Sequence, residues 1–260
     1  MKLKEKITGL LAVAMVLSSH IAAFQVYAEA NRNPYTEIIL EPKRTAAGID
    51  YDVYIEHSSS LSTLMLTMDF STAEKGTMSL ADNACFDISH SEWSNDNHAS
   101  LKAYMGRTGQ KTGFSSDSKI KVAHISIPID ISTVGNVTAT VSGAICAGVM
   151  QTDSDALKGT VTVPGQPISY AIRECSVLSF DKNKVNILSS NNRTADVIYA
   201  LYDTQGRFVK MHKENIELKQ GENEISPTGI DFGQAETVSV MIWDGIDSMR
   251  PLADKTTINN

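Results

Sequence analysis

Apolar residues in this chain recur at every second position and hardly ever at helical spacing, and that period confines it to strands. In IDYDVYIE the side chains of Ile49, Tyr51, Val53 and Ile55 share one face, and in STLMLTMDF those of Leu64, Leu66, Met68 and Phe70 do the same. Successive strand residues point to opposite sides, so each stretch buries one face and wets the other. TEIIL at 36–40, LKAYM at 101–105, KIKVAHISI at 119–127, NVTATVSG at 136–143 and KGTVTV at 158–163 read the same way, separated by stretches rich in Ser, Asn, Asp and Gly. Many short strands with turn signals between them predict an all-β chain built as a sandwich or barrel.

The pattern breaks at VPGQPIS, residues 163–169, where Pro164 and Pro167 interrupt any ladder or helix. It then restarts with SVLSF, KVNILS, ADVIYALYD, RFVKMH, NIELK and ETVSVMIWD, a strand density that suits a small immunoglobulin-like sandwich. Asp203-Thr204-Gln205-Gly206 predicts a hairpin turn with Gly206 at positive φ. In the last long strand Val238, Val240 and Ile242 alternate inward while Met241 and Trp243 take the other face. Asp244-Gly245 then turns the chain, and Met249-Arg250-Pro251-Leu252 runs back along the sheet, with Pro251 where no ladder donor is needed.

The first residues have a different character. Lys2, Lys4 and Lys6 precede the apolar run Ile7 to Leu17, and small residues lead to Val26-Tyr27-Ala28. This is the pattern of a secretory signal cleaved after Ala28. The apolar run is about half the ~20 residues that span a bilayer, so no membrane insertion is expected after cleavage. Cleavage removes three of 23 basic residues and one of 30 acidic ones, leaving 20 against 29, a net charge of −9. Such a surface repels nucleic acid and anionic lipid. The expected organisation is a signal peptide at 1–28, a first β-sandwich at 29–163, a linker at 164–169 and a second β-sandwich at 170–260.

Cys85, Cys146 and Cys175 are odd in number and widely spaced without a CxxC pair, which indicates neither a zinc site nor a disulfide framework. Cys85 with Cys146 is the pair a single bridge would take; three buried thiols is the plainer reading. Neither a GxSxG elbow, an HExxH pair nor a P-loop occurs. FDISHSEWSNDNH gathers Asp87, His90, Glu92, Asp96 and His98 around Trp93, donors a metal would accept, but a solvated loop anchored by one tryptophan is the plainer reading. Asp87 with Glu92, or Asp50 with Asp52, has no spacing that argues for a glycosidase pair, which needs carboxylates held across a cleft. His57 beside Ser58-Ser59-Ser60 reads as a turn, not a triad.

Two resemblances add to this. ADVIYALYDTQGRFVKMHKENIEL followed by ETVSVMIWDGIDSMRPLAD resembles the small β-sandwich at the C-terminus of many secreted clostridial and ruminococcal proteins, over about residues 170–256. There a strand ending in Ala and Tyr leads to a Gly-containing hairpin, and the module closes on Trp-Asp and a Met-Lys-Pro-Leu tail; here Arg250 replaces the lysine, and Met241-Ile242 replaces the usual run. The resemblance implies an accessory module of extracellular, often polysaccharide-related, proteins. DYDVYIEHSSSLSTLMLTMDFS is similar to the opening of cohesins and related carbohydrate-binding sandwiches, with Asp69-Phe70 closing the strand, and GRTGQKTGFSSDSKIKVAHISIPID resembles the polar loop and far-edge strands of that family. No cohesin recognition residue carries over.

The resulting expectation is a secreted, extracellular or cell-surface, non-catalytic binding protein, monomeric, with no catalytic residue, metal or cofactor assigned. Its ligand is expected to be a polysaccharide stacked on Trp93, Tyr104 and Phe114, because sugar C–H faces pack on flat rings; Trp243 is expected to be structural. The alternative is a protein–protein assembly or scaffold module of cohesin type, docking another extracellular protein. Exposed aromatics in a row favour glycan; a flat apolar sheet face favours protein.

Overall fold

The computed structural model of the chain describes residues 34–82, 85–95, 97–108, 113–148, 159–233 and 235–259. The secretory signal expected at 1–28 lies outside the described residues. Among those described, no helix is long and apolar enough to cross a membrane.

The first part of the chain runs through β1 (Tyr35–Arg44), β2 (Gly48–Leu61), β3 (Thr63–Phe70), β4 (Thr77–Leu80), β5 (Ile88–Ser94), β6 (Ser100–Gly106), β7 (Phe114–Ser116), β8 (Ile120–Pro128), β9 (Gly135–Ala147), β10 (Thr160–Thr162) and β11 (Ile168–Ile172). One sheet has the order β10-β1-β2-β8-β4, with β7 pairing the end of β2, and the other has the order β11-β9-β3-β6-β5. The alternation read from the sequence sets the packing: Ile49, Tyr51, Val53 and Ile55 of β2 are at most 1% exposed, as are Leu64, Leu66, Met68 and Phe70 of β3, and both sets enter one core. At Gly48 the strands approach so closely that a Cβ would sit 1.9 Å from the Ile127 carbonyl oxygen, so only glycine fits.

The second part forms β12 (Cys175–Phe180), β13 (Val185–Ser189), β14 (Arg193–Tyr202), β15 (Phe208–Leu218), β16 (Gly221–Ile225), β17 (Thr237–Trp243) and β18 (Thr256–Asn259). The sheets β12-β13-β16 and β15-β14-β17-β18 enclose a separate core around Val185, Ile187, Val197, Tyr199, Val240 and Ile242. Asp203 closes the β14–β15 hairpin, its Oδ1 accepting from the backbone N–H of Gln205 and of Arg207 at 2.9 Å each, with Gly206 at φ 72°. The tail returns as expected: Pro251 bridges Trp243, and Leu252 N–H donates to the Ile242 carbonyl at 2.8 Å.

Several expectations are corrected. FDISHSEWSNDNH is not simply a loop, since Ile88–Ser94 pairs along β6 as an edge strand. Its period is hidden because serine, at Ser89 and Ser91, stands on the same face as Trp93, and Ser89 is itself exposed. His57 to Ser60 is the bulged end of β2, with His57 and Ser60 at φ 51° and 53°, not a free turn. RFVKMH and NIELK are one continuous strand, β15. Ile168–Ile172, split in the sequence reading between linker and second module, pairs along β9 and buries Ile172 in the first core. A proline at the strand's edge costs no ladder donor, so Pro167 precedes β11 without ending the sandwich. Cys85, Cys146 and Cys175, by contrast, are all buried thiols, as the plainer reading expects.

Candidate interaction face

The two sheets of the first sandwich present outer faces of opposite chemistry. On β2 and β8 the outward positions include several charged or polar side chains that pair with one another. His124 Nδ1 lies 2.8 Å from Asp52 Oδ1 and its Nε2 lies 3.4 Å from Asp50 Oδ2; Lys121 pairs with Asp52 at 2.6 Å, and the Ser126 hydroxyl donates to Asp50 at 2.6 Å. Burial opposes the Asp52 charge, but hydrogen bonds from Lys121 and His124 hold its carboxyl below the usual range. Asp50 and Asp52 are thus occupied by partners on the neighbouring strand and do not face one another across a cleft.

The outer face of β9-β3-β6-β5 is apolar at one end. Register places His90 opposite Tyr104, Tyr104 opposite Met65, and Met65 opposite Ile145, so four side chains cross four strands in one line. Ile88, opposite Gly106, adjoins this line. Ile88 is 52%, Tyr104 39% and Ile145 53% exposed, and with Met65, His90 and Thr63 they line an open groove of about 330 Å³. The His90 and Tyr104 rings lie 6.2 Å apart, and His90 Nε2 is 3.4 Å from Glu92. Further along the sheet the face turns polar: Glu92 is opposite Lys102, Lys102 opposite Thr67, and Asp69 stands 3.6 Å from His98. Polar neighbours, Ser142 foremost and then Ser100 and His98, hold the Asp69 carboxyl below its ordinary range. A shallow apolar groove with a charged rim is the composition of a protein interface.

The three aromatics singled out from sequence are not assembled into a platform. Only Tyr104 presents its ring on this face. Trp93 occupies an inward position of β5, half-buried, stacked on Phe70 with centroids 5.8 Å and planes 28° apart; Phe70 in turn meets Tyr51 at 5.6 Å. Phe114 packs half-buried against the first core from β7, with the Arg107 guanidinium 5.9 Å from its ring centre. Glu92 and Asp87 do not converge on a shared site, because Asp87 accepts from the backbone and hydroxyl of Thr108 at 2.7 Å each. Asp96 lies outside the described residues. Among those described, no three His, Cys, Asp or Glu side chains are grouped to hold a metal ion.

Met65, Ile88 and Ile145 were missed as site residues. The signal for Met65 was present: Leu64-Met65-Leu66 is apolar at three consecutive positions, and so is Ala144-Ile145-Cys146. A strand that buries one face against a core has no need of apolar residues on the other.

No family model matches the chain, and none of the curated proteins does. Solved cohesin structures are similar to it. The seventh ScaB type I cohesin of Pseudobacteroides cellulosolvens is 9% identical, over 53% of this chain and 92% of that one, with a TM-score of 0.36. A non-cellulosomal cohesin of the archaeon Archaeoglobus fulgidus is 13% identical over 53% and 91%, with a TM-score of 0.32. The type II cohesin dyad of the adaptor ScaA scaffoldin of Acetivibrio cellulolyticus is 8% identical over 83% and 89%, with a TM-score of 0.34. A likeness at this level carries no functional argument, which has to come from the face itself.

Proposed function

We propose that the chain is an extracellular, non-catalytic assembly module that docks another protein on the outer face of β9-β3-β6-β5. The observation that carries this is the exposed line of His90, Tyr104, Met65 and Ile145 with Ile88 beside it. The groove suits one or two aliphatic side chains of a partner, and the Glu92, Lys102 and Asp69 end suits polar contacts at the rim. A polysaccharide would stack on several outward Trp, Tyr or Phe rings, whereas among the described residues Tyr104 is the one such ring on this face, with the His90 imidazole beside it. The resemblance of DYDVYIEHSSSLSTLMLTMDFS to cohesins supports the same class, and dockerin-bearing proteins are the first partners to try.

The test is binding of the secreted chain to a panel of extracellular proteins and to a glycan array, with Ile145→Arg and Tyr104→Ala beside the wild type. Both side chains are exposed, so melting temperature should hold. Affinity for a protein partner should fall by about tenfold or more, roughly 1.4 kcal/mol. Unchanged protein binding, or glycan binding that disappears in Tyr104→Ala, would overturn the proposal.

A further inference from the structure

The tail Met249-Arg250-Pro251-Leu252 has no place in the interaction face, yet it reaches the junction between the two sandwiches. Ile172, the last residue of β11, is buried in the first core, and Cys175, the first of β12, is buried in the second. Only Arg173 and Glu174 connect them. Glu174 is held from several sides. Its carbonyl accepts from Ser190 N–H at 2.9 Å, its carboxylate takes Arg250 Nη1 at 2.9 Å and also pairs with Arg193, and the next N–H, that of Cys175, donates to the Leu252 carbonyl at 2.8 Å. Arg173 Nε meets Asp254 Oδ1 at 3.2 Å. Asp254 also lies close enough to Tyr170 of β11 to add to the rise that burial causes in the pKa of that hydroxyl.

The tail itself is firmly seated. Asp244 N–H donates to the Arg250 carbonyl at 2.9 Å, Arg250 Nη2 pairs with Asp244 at 2.9 Å, and Leu252 is 1% exposed in the second core. Domains joined by a linker with little shared interface ordinarily move relative to each other. Here the connector is two residues long, the main chain of Glu174 is pinned, and the side chain of the remaining pivot, Arg173, is held by the tail.

We propose that the closing tail, Arg250 to Asp254, clamps the Arg173-Glu174 connector, so that the two sandwiches tumble as one body and the interaction face keeps a fixed bearing on the second sandwich. This holds whatever the face binds. An exposed ion pair alone contributes little; the clamp works because so few main-chain torsions remain to be restrained. The test is ¹⁵N relaxation on the full secreted chain. The wild type should show one rotational correlation time across both sandwiches. Glu174→Gln with Asp254→Asn should split it into two shorter ones while both sandwiches stay folded, and 1 M salt, which screens exposed pairs, should move the wild type the same way. Should the double variant lose the second sandwich, Arg173→Gln with Asp254→Asn touches only side chains more than half exposed and should still loosen the joint. Separate correlation times in the wild type, or unchanged tumbling in folded variants, would overturn the proposal.

Discussion

Trp93 and Trp243 are both half-buried, but they do different work. Trp93 faces the first core and extends the Tyr51, Phe70 stack, whereas Trp243 sits on the outer face of β17, in register with Asp196 and Pro251. The sequence reading assigned the ligand role to Trp93 and the structural one to Trp243. Their surroundings argue the reverse weighting for stability. Trp93→Ala should cost about 3 kcal/mol, near the low end for a large aromatic removed from a core, and Trp243→Ala about 1–2 kcal/mol because it packs on the outer face and not against the second core. Urea unfolding of both variants checks this; a Trp93→Ala protein as stable as the wild type would return Trp93 to the list of ligand-binding candidates.

At the scale of elements, β11 changes what a cut in the proline-rich stretch would do. Gly165 stands in open space between β10 and β11, accessible to a protease. Had 164–169 been a linker between modules, cleavage there would separate them. Because Ile168 to Ile172 pairs along β9 and Ile172 is buried, the two fragments should stay together under native conditions and part only in denaturant. Native and denaturing size analysis after limited proteolysis distinguishes the outcomes, and separation under native conditions would refute the pairing. β11 was hard to read because Pro164 and Pro167 precede it and mask a short alternation of Ile168, Tyr170 and Ile172. β5 was hard because serine stands on the same face as Trp93.

For the whole molecule, two cores with no strand ladder between them among the described residues imply two unfolding events, even if the joint holds the sandwiches in one orientation. Leu66 is fully buried in the first core and Val197 in the second. Leu66→Ala should lower only one calorimetric transition, by about 2–5 kcal/mol of stability, and Val197→Ala only the other. A single transition shifted by either variant would show that the cores melt as one. The formal net charge of −7 bears on solubility, not on which core melts first.

By itself the sequence determined the fold class, the inward residues of β2, β3 and β17, the Asp203 hairpin and the returning Pro251 tail, because each of these is written in local periodicity or in the φ demands of single residues. The alignment of His90, Tyr104, Met65 and Ile145, and the meeting of Glu174 with Arg193 and Arg250, were decided only by tertiary structure. Both depend on register between strands far apart in the chain, and one residue of slip would turn every outward side chain inward. A period of two tells which residues share a face on one strand; it is the ladder between strands that decides which of them become neighbours.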